Sequence, residues 1–325
     1  MLIFALSDSR EFGERIAGEL GITVSPHEER AFPDGEFQQR PLVSVRGQDV
    51  FVVASLHAGP RFSIGDKLAR LLLFLATLRD SGARRVSALI PYMAFARQDR
   101  RVRRGDPLAL HSLAALIEAV GVDTVVTIDV HNIAAFENAF RCRTVHLTAA
   151  PEFALRAMSQ IGLADPVVVA SPDLGGAKRA QQFGAALGEV LGAPVRFAYM
   201  EKVRLDGEVA GTEVAGDVTG AHVLIVDDMI STGTTLVRAV DACRERGARR
   251  IHAFATHGLF SGNPGAWMMP EGLEKIIVTD TVPPFRLSQD SIGRDLAVVS
   301  VVPLFAAAIR RLYDNQALGE LTFQA

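Results

Sequence analysis

Only two cysteines, Cys142 and Cys243, stand among the 325 residues. Two thiols are too few for a disulfide framework, and no CxxC or Cys/His spacing suited to a metal occurs. No apolar stretch reaches the roughly 18 residues a membrane span needs. The longest candidate, Leu68–Leu78, is broken by Arg70 and Thr77. The opening residues MLIFALSDSR lack a basic leader and read as a first strand rather than a signal peptide. An excess of basic charge is missing too: the net charge is −3, with 22% charged residues. That excludes a global attraction to nucleic acid or to an anionic membrane. These absences describe a globular protein of a reducing cytoplasm.

What is present is apolar residue in quantity. At 49% hydrophobic over 325 residues, the chain carries more than one core usually serves, so two domains of roughly 150 residues are expected. Short apolar runs alternate with amphipathic stretches. Strands are expected at Leu2–Leu6, Val50–Ser55, Val86–Pro91, Val125–Ile128, Val167–Ala170, Val195–Tyr199, Val223–Val226, Ile251–Thr256, Ile276–Thr279 and Val298–Val302. Helical patterns cover Gly65–Asp80, Pro107–Val120, Gly175–Leu191 and Thr234–Glu245. Near-continuous apolar strands between helices argue for an α/β fold with parallel sheets covered on both faces.

The chain also repeats itself. RDSGARRVSALI at Arg79–Ile90 returns as RERGARRIHAFA at Arg244–Ala255, about half the chain later. VFVVAS and VLIVDD precede the two copies, and SDSREFGERIAGELG near the start parallels SPDLGGAKRAQQFGAALG. Three segments in the same order indicate two copies of one α/β unit. The copies differ chemically. The strand VLIVDD ends on Asp227 and Asp228, whereas VFVVAS carries no acid. Ligands of open α/β sheets bind at that carboxyl edge, so the second copy keeps a site that the first has lost.

Val223–Leu236 is the strongest local signal. A buried strand delivers Asp227 and Asp228, and Ser231, Thr232, Gly233, Thr234 and Thr235 then form a loop that opens a helix. Backbone amides, hydroxyls and a positive helix end converge there, which suits a phosphate. The two carboxylates suit sugar hydroxyls or a magnesium ion. Together they describe a sugar phosphate site.

This segment resembles the phosphoribosyl pyrophosphate motif of type I phosphoribosyltransferases and their relatives. Five further segments resemble, in order, the ribose-phosphate pyrophosphokinase family: Phe32–Glu36 (FPDGE), Pro91–Arg100 (PYMAFARQDR), Ile128–Asn132 (IDVHN), Ser171–Arg179 (SPDLGGAKR) and Met200–Arg204 (MEKVR). The resemblance spans nearly the whole chain. It implies two similar phosphoribosyltransferase-type domains, each a mainly parallel sheet flanked by helices. The first, 1–146, lacks the diphosphate motif; the second, 147–325, carries it. The implied reaction moves the β,γ-diphosphate of MgATP onto the 1-hydroxyl of ribose 5-phosphate.

Each segment has a second reading. FPDGE fits a plain Pro-Asp-Gly turn; by resemblance Phe32, Asp34, Gly35 and Glu36 contact ATP in a neighbouring subunit, which implies a homo-oligomer with active sites at a subunit interface. RQDRRVRR, five arginines in eight residues, fits a solvated loop or a nucleic-acid patch. No interleaved aromatics accompany it, against nucleic acid, and by resemblance Arg97 and Gln98 contact ATP. His131 fits a structural role; by resemblance it sits at the magnesium-ATP site. Asp173 would bind a second magnesium near the ribose. Lys202 and Arg204 fit a solvent-facing hairpin; by resemblance they are the catalytic cations of a flexible loop.

The pattern is not followed throughout. The best-known bacterial and mammalian members carry Asp where this chain has Ser231, and Gly where it has Thr234. Such departures look more like the archaeal-type branch of the family, so neither a hexamer nor the usual phosphate activation with ADP inhibition is carried over. Three alternatives stay open. They are a diphosphotransferase for another sugar phosphate, a catalytically silent regulatory homologue, and a phosphoribosyltransferase, which would not need the ATP-side segments.

Overall fold

The apolar runs become strands buried along their length, and their order sets where the sheet edges fall. The computed structural model describes residues 1–159, 166–205, 208–262, 269–319 and 321–322, the side chains of 201–205 and 208–212 excepted. The chain divides into two units, Met1–Thr148 with Val302–Ala325, and Ala149–Val301.

The first unit holds strands β1 (Leu2–Ala5), β2 (His27–Ala31), β3 (Phe37–Pro41), β4 (Asp49–Val53), β5 (Arg85–Leu89), β6 (Thr124–Ile128) and β7 (Arg143–Leu147). Its helices are α1 (Arg10–Glu19), α2 (Ile64–Asp80), α3 (Ala109–Ala119) and α4 (Ile133–Ala139). Five strands form a sheet in the order β1-β4-β5-β6-β7, all parallel. Every residue of β4 and β6 is buried, as a sheet covered on both faces requires. β2 and β3 pair antiparallel as a separate hairpin.

The second unit runs α5 (Ala150–Met158), β8 (Val167–Ser171), α6 (Ala177–Leu191), β9 (Arg196–Leu205), β10 (Glu208–Ala215), β11 (His222–Ile230), α7 (Thr234–Glu245), β12 (Arg250–Gly258), β13 (Lys275–Thr279), the irregular turn α8 (Ser291–Arg294) and β14 (Leu296–Val299). Its sheet order is β10-β9-β8-β11-β12-β13-β14, parallel except that β10 runs against β9. β8 and β11 lie side by side, with Ala170 opposite Ile225, so both end at one carboxyl edge. Beneath that edge Val168, Val223, Ile225, Val240, Ile251 and Val278 pack in one core.

A glycine sets how closely a helix meets a strand in each unit. A Cβ at Gly13 of α1 would lie 2.3 Å from the Ala5 Cβ, and one at Gly184 of α6 would lie 2.4 Å from the Phe197 ring. Both glycines follow a buried phenylalanine, Phe12 and Phe183. Each therefore lets its helix press onto the first or neighbouring strand of its own sheet, which a side chain would prevent.

Four helices match the sequence reading closely; α7 has the expected limits, and the box of Ser63 and Asp66 starts α2 one residue early, at Ile64. Two expectations are corrected. The strand expected at Val298–Val302 ends at Val299, and Val302 opens the last helix, α9 (Val302–Tyr313). Pro303 in the first turn explains the switch, because its fixed φ suits a helix start and it has no amide to lose there. The second domain was expected to run from 147 to 325, yet residues from Val302 onward belong with the first unit. Phe305 meets Phe12 edge to face at 5.6 Å, Arg310 Nη2 donates to the Glu19 carbonyl at 3.2 Å, and Arg85 Nη1 donates to Asn315 Oδ1 at 2.8 Å.

Candidate active site

β11 carries its apolar residues to the carboxyl edge of the second unit and ends on acids. Asp228 is buried at 3% exposure, while the Asp227 side chain keeps 29%. The Asp228 amide donates to Asp227 Oδ1 at 2.8 Å. Arg179, from the first turns of α6, sets Nη1 at 3.2 Å from Asp227 Oδ1 and 3.6 Å from Asp228 Oδ1. Burial raises the Asp227 carboxyl well above the ordinary carboxylate range, and the neighbouring Asp228 raises it further; Arg179 opposes both. The result is a concentrated acceptor pair held by one guanidinium.

The hydroxyl-rich loop follows immediately. Gly233 stands at φ +83° just before α7, a left-handed conformation that glycine adopts without strain. No side chain caps α7, and Thr232, Thr234 and Thr235 are exposed. The leading amides of the helix therefore face outward with its positive end, the arrangement that accepts a phosphate. The Thr232 and Thr234 hydroxyls are 3.2 Å apart. Ser231 Oγ donates to Ser261 Oγ at 3.1 Å, and the Ser261 amide donates to the Ser231 carbonyl at 2.9 Å.

The turn after β8 reaches the same edge. Asp173 Oδ1 accepts from the Gly176 amide at 3.1 Å, and Ser171 Oγ donates to the Asp173 carbonyl at 2.6 Å. Arg179 belongs to this segment, so SPDLGGAKR and VLIVDDMISTGTTL are joined by an ion pair. Sequence reasoning missed Arg179. The segment stands out in the sequence, but nothing in it announces a partner 48 residues away.

In the first unit FPDGE forms the tip of the β2–β3 hairpin. The Phe32 amide donates to the Glu36 carbonyl at 2.8 Å, the Gly35 amide to the Phe32 carbonyl at 3.1 Å, and the Glu36 amide to Asp34 Oδ1 at 3.1 Å. Gly35 has φ +95°, and the Arg30 guanidinium covers one face of the Phe32 ring at 4.9 Å. Arg97 and Gln98 are exposed in the loop after β5. His131 is exposed after β6, two residues past the buried Asp129 at φ +41°. The structure brings those two segments together: Asn132 Nδ2 donates to Asp99 Oδ2 at 2.7 Å.

Lys202 and Arg204 were expected after a strand, on a loop. Their backbone instead lies in β9, paired with Thr212 and Val209 of β10. Their side chains lie outside the described residues. Among the described residues no group of three His, Cys, Asp or Glu could hold a metal, and no helix is long and apolar enough to cross a membrane.

The model for the N-terminal domain of ribose phosphate pyrophosphokinase matches residues 1–121, and that for the phosphoribosyl synthetase-associated domain matches residues 202–323. A ribose-phosphate pyrophosphokinase of Vibrio parahaemolyticus is 36% identical over 324 residues, 99% of this chain and 98% of its own. One from Caldanaerobacter subterraneus is 35% identical over 320 residues, 98% of this chain and 96% of its own. The crystal structure of phosphoribosylpyrophosphate synthetase from Mycobacterium smegmatis superposes with a TM-score of 0.85 at 31% identity, covering 97% of this chain and 99% of that one. Parallel sheets flanked by helices, with an acid pair and an open helix start at one carboxyl edge, define the phosphoribosyltransferase-type α/β class. Within that class the chain belongs to the ribose-phosphate pyrophosphokinase family.

Proposed function

We propose that the chain transfers the β,γ-diphosphate of ATP to the 1-hydroxyl of ribose 5-phosphate, giving phosphoribosyl pyrophosphate and AMP. The observation that carries this reading is the edge of the second unit. There an Arg179-held carboxylate pair stands three residues before a hydroxyl-rich loop and a helix start that no side chain caps. Family membership over nearly the full chain supports the same reaction.

In this reading Asp227 and Asp228 accept hydrogen bonds from the ribose hydroxyls, which fixes the sugar and its 1-hydroxyl. Ser231, Thr232, Gly233, Thr234 and Thr235 hold the 5-phosphate through hydroxyls and amides. Phe32, Asp34, Gly35, Glu36, Arg97, Gln98 and His131 serve ATP. The 1-hydroxyl oxygen attacks the β-phosphorus, its bond to the oxygen bridging to the α-phosphorus breaks, and AMP departs with that oxygen. The hydroxyl proton leaves to solvent. Lys202 and Arg204 place positive charge where the transferred group gains negative charge, and positioning with electrostatics supplies most of the rate.

Magnesium fits as an ion carried largely by substrate. Magnesium keeps several waters and takes one or two carboxylates plus phosphates, so it needs no three-ligand protein cage. His131 and Asp173 would hold one ion each. The Asp173 carboxylate is the right donor, although one oxygen already caps the Leu174–Gly176 turn. When bound, the ions neutralise the polyphosphate. We also place the chain in a homo-oligomer of a reducing cytoplasm. Cys142 and Cys243 form no disulfide, and burial pushes both thiols up to about 12, so they stay protonated.

A second reading, a different sugar phosphate as acceptor, draws on Ser231. Its hydroxyl is turned to Ser261 and brings no charge to the ribose side. The deciding test is a coupled assay with MgATP and ribose 5-phosphate, following AMP and phosphoribosyl pyrophosphate together, beside Lys202→Ala. Equal amounts of both products, lost in the variant, are expected. ADP in place of AMP, or no turnover, would sink the proposal; turnover with another acceptor alone would favour the second reading.

A further inference from the structure

The arginine segment and the residue after His131 share one side-chain contact that the reaction above leaves unused. Asn132 Nδ2 donates to Asp99 Oδ2 at 2.7 Å, and Asn132 Oδ1 accepts from the Ala135 amide at 3.2 Å, capping α4. Asp99 adjoins Gln98, and Asn132 adjoins His131. We infer that Asn132 and Asp99 are positioning residues, a clamp that holds the arginine segment in register with His131 for binding the nucleotide triphosphate. This deepens the reading above and rests on its assignment of Arg97, Gln98 and His131 to ATP.

Three observations carry it. Capping alone does not require asparagine, because Ser, Thr or Asp would accept from the same amide. A carboxamide offers a donor and an acceptor at once, and here both are used. Next, the arginine segment is hydrogen-bonded within itself. Asp106 Oδ2 accepts from the Val102 and Arg103 amides at 3.1 and 2.6 Å, and Arg101 Nε donates to the Asp106 carbonyl at 3.2 Å. The Gln98 amide donates to the Phe95 carbonyl at 2.9 Å. Asp99 stands between these two bonded turns, so its bond to Asn132 holds the stretch that joins them. Last, His131 lies between fixed points. On its other side the Asp129 amide donates to the Leu147 carbonyl at 3.0 Å, and the Val130 amide donates to His146 Nε2 at 3.0 Å. Holding both partners in place beforehand lowers what must be ordered when ATP binds.

The test separates clamp from cap. Asn132→Ser keeps a cap acceptor and loses the donor. Asn132→Asp keeps the cap and sets two carboxylates against each other. The exchange Asp99→Asn with Asn132→Asp restores the bond with donor and acceptor reversed and the same net charge. Each single variant should raise KM for MgATP roughly five- to tenfold, one charge-assisted hydrogen bond at an exposed site. KM for ribose 5-phosphate and Tm should hold, and the exchange should return KM for MgATP to within about twofold of wild type. An unchanged KM for MgATP in Asn132→Asp overturns the clamp. So does a joint rise of both KM values with a fall in Tm that the exchange does not repair, which would leave Asn132 as a cap. Calorimetric Kd values for a non-hydrolysable ATP analogue need no turnover. The same pattern in Kd without formation of phosphoribosyl pyrophosphate by wild type would keep the clamp and defeat the reaction assignment. Equal Kd values in an active enzyme would do the reverse.

Discussion

Asp227 shows how a binding site sets a charge against stability. Burial and the adjacent Asp228 raise its carboxyl, with Arg179 opposing. A carboxyl whose pKa is raised by folding favours the folded state below its unfolded pKa and loses that contribution as pH rises through the raised value. The charged form of Asp227 is therefore a burden that the fold carries for function. Asp227→Asn should raise the urea midpoint at pH 7 and abolish turnover. A midpoint that falls would mean that Arg179 depends on Asp227 more than Asp227 suffers from its surroundings. His252 gives the opposite sign. Burial, then His222, hold its imidazole down at about 4, and His222 Nε2 lies 2.8 Å from His252 Nδ1. The folded state keeps that ring neutral while the unfolded chain takes up a proton below about 6.5. Stability should accordingly fall by about 2 kcal/mol between pH 7.5 and 5, and continue to fall towards pH 4. His252→Gln should flatten that slope in urea titrations run at both values.

At the scale of elements, two helix starts stand in contrast, α2 in the first unit and α7 in the second. α2 begins with a complete capping box, Ser63 Oγ accepting from the Asp66 amide and Asp66 Oδ2 from the Ser63 amide. α7 begins with Gly233 and no side-chain cap. α2 satisfies its own leading amides, and α7 leaves its own for a ligand. Much of this was legible: the DD pair, the hydroxyl run and the limits of α7 follow from composition and spacing. The β2–β3 hairpin was not legible. HEERA and FQQRP are polar and only partly buried, so no alternation marks them as strands. What holds the hairpin is an ionic knot at its base. Glu29 lies 3.2 Å from His27 Nε2 and 3.7 Å from Arg70 Nη1, and it accepts from the Ser7 amide at 2.8 Å. Arg70 covers the Phe37 and Phe62 rings at 4.3 and 4.4 Å. Burial raises the Glu29 carboxyl, but bonds from His27 and Ser7 outweigh it and hold the group at about 2. Glu29→Gln leaves a partly buried guanidinium short of its charge partner, so a loss of about 2 kcal/mol is expected in denaturant titrations. That loss should vanish as pH falls towards 2, where wild-type Glu29 also gains its proton.

For the whole molecule, the repeat told more than the domain boundary did. Gly13 and Gly184 each follow a buried phenylalanine and each let a helix close on a strand of its own sheet, at Ala5 of β1 in the first unit and at Phe197 of β9 in the second. The return of α9 left no such mark. An amphipathic helix at the end of a chain fits either half, and only its contacts decide. Arg179 was hidden for the same reason, since its partners lie far along the sequence. Phe305 is fully buried and sits edge to face with Phe12 in the first unit. Its removal should therefore weaken that unit and spare the other. Phe305→Ala is expected to cost the first unit about 3–5 kcal/mol. Native-state hydrogen exchange reports local opening, so amides of β1, α1 and β4 should lose protection while those of β11 and β12 keep theirs. Equal loss in both sets would show that the two units unfold as one cooperative body. Loss confined to β11 and β12 would return α9 to the half of the chain that precedes it in sequence.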